Sequence, residues 1–193
     1  MRSTGLRKWL LDRLRSRWTS LETDNSRTTS GIRIKNFGKM DDRFYRGGQP
    51  RAADFRDLVG LGINTVIDLR NDPRSNEQVI VETLGMRYVN LPMSDTKYPR
   101  LAQIELFLRV VNDPMTGRFF VHCSGGRHRT GVMGAVYRLN KNLWNYDQAY
   151  SEMLTYDFYT RCGHGKLKQF VSDYYQQNNP NCSNPKQVTV REN

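Results

Sequence analysis

The chain has 193 residues, enough for one domain with a real core and short of two. Apolar residues make up 37% and charged residues 25%, and no stretch approaches the roughly 18 to 20 apolar residues of a membrane span. A formal net charge of +11 favours anionic partners, namely phosphorylated substrates, nucleic acid or acidic lipid, without choosing among them. Cys123, Cys162 and Cys182 are too few and too scattered for a disulfide framework, which suits a reducing, cytoplasmic setting. The start, MRSTGLRKWLLDRLRSRW, lacks the apolar run of a secretory signal.

Leu6, Leu10, Leu14, Trp18 and Leu21 fall on one helical face, so residues 2–21 are expected to form an amphipathic helix. Arginines crowd its other flank, and with Trp9 and Trp18 they suit an anionic membrane surface, a partner or the domain itself. A polar linker follows, giving an N-terminal region 1–30, a main domain 31–176 and a polar tail 177–193. In the main domain RFYRGGQP ends a short strand, and Pro50 is expected to open a helix running to about Gly60. INTVIDL (63–69) reads as a buried strand, with Asp68 a buried partner for an arginine or a backbone group. A loop and a helix closed by Gly85 come next, then a strand over 86–92 and an amphipathic helix over 100–111. GRFFVH (117–122) is a third apolar strand, TGVMGAVYRLN is helical, and further helices are expected near 147–156 and 164–176. RCGHG (161–165) has too few ligands for a metal site and reads as a helix end and restart. Strands alternating with helices predict an α/β fold: a central, mostly parallel sheet flanked by helices, with the extra N-terminal helix.

The third strand runs straight into HCSGGRHRTG (122–131), which crowds glycines and arginines around one thiol. A loop between a buried strand and a helix N-terminus is where α/β sheets place ligands, and the helix end favours anions. Gly125, Gly126 and Gly131 would let the backbone curl into an anion nest with Ser124, and Arg129 would close it with a fork suited to two phosphate oxygens. That field would hold Cys123 as the nucleophilic thiolate. Displacement at phosphorus would then pass through a phosphocysteine. Thr130 would bond the sulfur and help it leave, and His122 would orient the loop. A structural thiol in a glycine turn explains neither arginine. A Walker-type loop would need Gly-Lys-Ser/Thr at its end, and a rhodanese-like reading accounts for neither the preceding His nor the Arg-Thr-Gly ending.

Cys-x5-Arg within His-Cys-x-x-Gly-x-x-Arg-Thr-Gly resembles the signature of the cysteine-dependent protein tyrosine and dual-specificity phosphatases. The resemblance extends loosely over residues 36–175 and is nearest to the small atypical dual-specificity subgroup. It implies a phosphatase-like fold, no metal or organic cofactor, and a general acid some 30 residues before the cysteine. Asp95 in PMSDTKYP, 28 residues upstream, fits that place, with Asp72 as competitor. Tyr45, Arg46 and Gln49 would line the pocket mouth. Basic residues inside the loop are found in relatives acting on inositol phosphates, so Arg127 and His128 are expected to read extra phosphates. The implied substrates are phosphorylated proteins, inositol phosphates or phosphoinositides rather than nucleic acid; the alternative is an inactive module that binds a phospho-ligand.

Overall fold

The computed structural model describes residues 31–73 and 76–179. The chain divides at Arg33/Ile34, and every element described below lies in the unit beginning at Ile34. In chain order these are β1 (Gly38–Lys39), β2 (Phe44–Gly47), α1 (Asp54–Gly60), β3 (Thr65–Asp68), α2 (Glu77–Thr83) and β4 (Arg87–Asn90). There follow α3 (Leu101–Asn112), a 3-10 turn (Pro114–Thr116), β5 (Phe119–His122), α4 (His128–Lys141), α5 (Tyr146–Thr155) and α6 (Gly165–Asn178). The expected helix over 2–21 and the end of the tail lie outside the described residues. The last helix runs to Asn178, past the expected domain end at 176.

The five strands are ordered β1-β2-β5-β3-β4, and all pairs are parallel except β1 with β2. The α/β class with a mostly parallel sheet is therefore correct, and the antiparallel edge is an addition to it. Two-residue β1 is too short to show any alternation in the sequence. Pro50 does not open α1 as expected. The Asp54 carboxylate accepts from the Arg51 N–H at 2.8 Å, which closes a turn ahead of the helix.

Strand periodicity decides what each face of the sheet receives. Phe44, Ile67, Phe119, Val121 and Cys123 join the main core with α3, α4, α5 and α6. By the same parity Arg46 points to the α4 side. Val66 and Phe120 are fully buried outside that cluster, on the opposite face with Phe55, Leu58 and Val81 of α1 and α2. Asp68 and His122 share their parity, and so point toward α2. The carboxyl end of β5 therefore carries a thiol on one side and a buried charge cluster on the other.

Candidate active site

His122 closes β5 and is flanked in register by Gly47 of β2 and Asp68 of β3. The loop 123–127 leaves from this central point and enters α4 at His128. Three successive carbonyls on the loop are held from outside. Ser124 O accepts from the Gln49 N–H at 3.2 Å, Gly125 O from Asn36 Nδ2 at 2.8 Å, and Gly126 O from Arg46 Nη2 at 2.6 Å. A trans peptide sends its N–H opposite to its C=O. The N–H groups of Gly125, Gly126 and Arg127 therefore turn inward, as an anion nest requires. Gly126 has φ +69°, and a Cβ there would lie 2.5 Å from both Gly47 C and Gly48 N, so only glycine fits. Gly131, expected in the nest, lies instead inside α4, where a Cβ would make ordinary contact with Phe158 and Met153 of the packed segment.

Cys123 lies at the floor and is only 3% exposed, so its thiol is buried rather than exposed. Burial alone would push the thiol up. The Thr130 hydroxyl beside the sulfur, the Arg129 guanidinium and the N–H groups of Thr130 and Gly126 outweigh burial and hold Cys123 below the usual thiol range. Arg129 is buried and spans the loop, donating from Nη2 to Ser124 Oγ at 3.1 Å and from Nη1 to Met93 O at 3.4 Å. Its buried Nε has no acceptor among the described residues.

The two rim cations expected from the sequence do not both exist. Arg127 is partly exposed, with Nη2 3.3 Å from Asp157 Oδ2 and its guanidinium 5.9 Å from the Tyr159 ring centroid. His128 is 8% exposed. It stacks on His164 at 3.5 Å and 11°, with Tyr159 edge-on at 4.4 Å. Burial, His164 and Arg127 push its pKa down to about 4, against the opposing pull of a Tyr159 backbone hydrogen bond and of Asp95. It is neutral at physiological pH and cannot serve as the second cation. Nor do Tyr45 and Arg46 line the mouth, since both are buried. Arg46 lies beneath the loop with its guanidinium 3.9 Å from the Tyr156 ring, reaching in where Gly134 of α4 has no side chain. Burial lowers its pKa to about 10, which leaves it charged. Gln49 is exposed and acts on the loop through its backbone.

Behind the loop, His122 Nε2 is 2.7 Å from Glu77 Oε1, and Nδ1 is 3.4 Å from Cys123 O. Arg70 forks onto Asp68 with bonds of 2.7 and 2.9 Å and also reaches Glu77. Tyr88 donates to Asp68 at 2.8 Å. Burial raises the Asp68 carboxyl, but these donors and His122 outweigh it and keep the group below its usual range. Asp68, Glu77 and His122 resemble a set of metal ligands, but the Arg70 guanidinium already bonds both carboxylates.

Asp95 is exposed on the β4–α3 loop, and its carbonyl lies 2.7 Å from His164 Nδ1. Through the His164–His128 stack it is tied to the phosphate loop. Asp72 is exposed after β3, and no hydrogen bond or ion pair among the described residues ties it to that loop.

A family model described as "DSP-PTPase phosphatase fused to NAD+ Kinase" matches residues 17–170. The chain belongs to this family. It is a cysteine-dependent phosphatase of the protein tyrosine and dual-specificity type. "Probable tyrosine-protein phosphatase DG1060" of Dictyostelium discoideum is 31% identical over 123 residues, covering 61% of this chain and 73% of the relative. "Inositol diphosphatase DSP2" of rice is 28% identical over 112 residues, covering 55% of each. The catalytic core of the PP-IP phosphatase SIW14 of S. cerevisiae superposes with a TM-score of 0.65 at 22% identity, covering 80% of this chain and 94% of that one.

Asn36, Glu77 and His164 shape the phosphatase's site without a motif that singles them out for it, and Arg46, expected at the pocket mouth, works beneath the loop instead. Asn36 and Arg46 hold loop carbonyls 89 and 80 positions away. Glu77 faces His122, and His164 reaches Asp95 across 69 positions. Of Asn36, Glu77 and His164, Asn36 alone leaves a trace, being of a type that tolerates the left-handed φ of +51° it adopts.

Proposed function

We propose that this phosphatase cleaves phosphate monoesters through a phosphocysteine at Cys123. The observation that carries the reading is a loop whose three carbonyls are bonded from outside, so that its N–H groups face a thiol of lowered pKa, closed by a buried arginine whose Nε has no acceptor among the described residues. The phosphate would lie in the nest of residues 124–128, clamped by Arg129 as the transferring group gains equatorial charge. The thiolate attacks phosphorus and the ester P–O bond breaks. Asp95, as the carboxylic acid, gives its proton to the leaving oxygen. Its carboxylate then takes a proton from water, whose oxygen attacks phosphorus and expels the sulfur, with the Thr130 hydroxyl stabilising the departing thiolate. Ser124 fixes the Arg129 fork, and His122 supports the loop from behind.

The substrate is either a phosphotyrosine protein or an inositol phosphate or phosphoinositide. Arg127 and Arg161 lie 5.9 and 5.5 Å from the Tyr159 ring, which favours a substrate with a second phosphate. The burial of His128 removes one cation from that case. The domain would work in the cytoplasm, and residues 2–21 would bring it to anionic membranes. The test is phosphate release from phosphotyrosine and phosphoserine peptides, phosphoinositides, soluble inositol phosphates and inositol pyrophosphates, with Cys123→Ser as control. Preference for inositol compounds, lost in Arg127→Ala, supports the second-phosphate reading; preference for phosphotyrosine makes the protein a tyrosine phosphatase. No Cys123-dependent release from any of them would make the chain a phospho-binding module.

A further inference from the structure

The RCGHG segment between α5 and α6 docks on the loop that carries Asp95 at two consecutive residues. His164, 7% exposed at the start of α6, lies with Nδ1 2.7 Å from the Asp95 carbonyl oxygen. A carbonyl can only accept, so Nδ1 carries the proton and the imidazole donates. One residue earlier, Gly163 has φ +86°, and a Cβ there would lie 3.3 Å from Thr96 Cγ2. A bare backbone is what lets the segment approach Thr96 so closely. A face of the imidazole stacks on His128 at 3.5 Å, and Tyr159 packs edge-on against both rings, at 4.4 and 5.3 Å. His128 is the residue immediately before Arg129. One imidazole thus joins the acid loop to the phosphate loop.

We propose that His164 is the positioning residue of the general acid: by fixing the carbonyl of Asp95 it sets the direction of that residue's side chain relative to the phosphate nest. The proposal rests on the assignment of Asp95 as the acid. An exposed loop carboxylate bonded only through its side chain would sample many rotamers. Anchoring its own peptide plane, against a ring already wedged on the phosphate loop, removes the backbone part of that freedom. Misplacement of a catalytic group by about 1 Å costs on the order of 100-fold in rate. A lost anchor should therefore appear in the acid-dependent step and nowhere else.

Two substitutions separate the donor from the ring. His164→Asn places an amide N–H where Nδ1 stands, and His164→Phe keeps an aromatic stack without a donor. The experiment measures kcat/KM, which reports formation of the phosphocysteine, over a series of aryl phosphates graded by leaving-group pKa. Wild type, Asp95→Asn, the two His164 variants and the Asp95→Asn/His164→Phe double variant are compared, with thermal midpoints as the folding control. His164→Phe should lose about 10- to 100-fold on the poorest leaving groups and stay within about twofold on activated ones. His164→Asn should recover most of that loss, and in the Asp95→Asn background His164→Phe should add almost nothing. Equal loss by His164→Phe on all substrates, or none, with Asp95→Asn still selective, would overturn the role of His164 and leave the acid standing. A flat response of Asp95→Asn itself would overturn the acid assignment, and the proposal with it.

Discussion

Gly126→Ala should damage both stability and phosphate binding, and the structure sets the size of the effect. The residue has φ +69°, and its new methyl would lie 2.5 Å from Gly47 C and Gly48 N and 2.8 Å from Gly47 O. The left-handed conformation costs alanine about 1 to 2 kcal/mol. The clash is with backbone, and that backbone is held by Gly48 N–H to Lys35 O at 2.7 Å and Gln49 N–H to Ser124 O at 3.2 Å. It cannot move aside without breaking the bonds that turn the loop carbonyls outward. Overpacking of this kind adds about 1 to 3 kcal/mol, for a total of roughly 2 to 5 kcal/mol, a large share of the about 5 to 15 kcal/mol typical of a domain. At roughly 2 to 4 °C per kcal/mol the thermal midpoint should fall by on the order of 10 °C. The neighbouring Gly125→Ala is the internal control. Its methyl would meet nothing nearer than Arg127 Cδ and Cγ at 3.9 Å, and the midpoint should move by no more than about 2 °C. Differential scanning calorimetry of the two variants and titration with vanadate or phosphate read both effects. Equal midpoints for Gly126→Ala and wild type would refute the reasoning, as would equal damage from the two substitutions.

Two further outcomes follow from the perturbed groups. His128 has its pKa lowered from 6.5 to about 4 in the folded protein, so the unfolded chain binds the extra proton more readily. Its contribution is fully present above pH 6.5 and lost as pH falls toward 4, by at most about 3 kcal/mol. Urea unfolding across that window should show a steeper decline for wild type than for His128→Phe, and parallel declines would count against the buried neutral imidazole. The Cys123 thiol is held below its usual value of 9.0 in spite of burial. Its alkylation by iodoacetamide should therefore titrate below pH 9.0, and Arg129→Met should move that midpoint upward; an unmoved midpoint would remove Arg129 as a cause.

How much of this could be read from the sequence depends on chain separation. The β5 strand, the Cys-x5-Arg loop and the start of α4 are contiguous, so their chemistry was legible in ten residues. The pairing of Asp68 with Arg70 is also local, at two residues, and the buried partner expected for Asp68 is this arginine. The error over His128 has a different origin. Beside Arg127 in the sequence it looks like a second cation, but helical geometry directs it toward Phe158, Tyr159 and His164, which arrive from beyond α5. Arg46 misled in the same way: it stands two residues past Phe44 on a strand, and period-two geometry sends both side chains under α4. No pattern along the chain announces that Arg46 ends on the Gly126 carbonyl or His164 on that of Asp95.

The central claim is that Cys123 itself receives the phosphoryl group. Wild-type enzyme mixed with an aryl phosphate and quenched in acid within the first turnover should yield a peptide containing Cys123 heavier by one phosphoryl group. The adduct should be absent in Cys123→Ser and should accumulate in Asp95→Asn, where water is no longer activated. A phosphoryl group on another residue, or turnover by Cys123→Ser, would contradict the account.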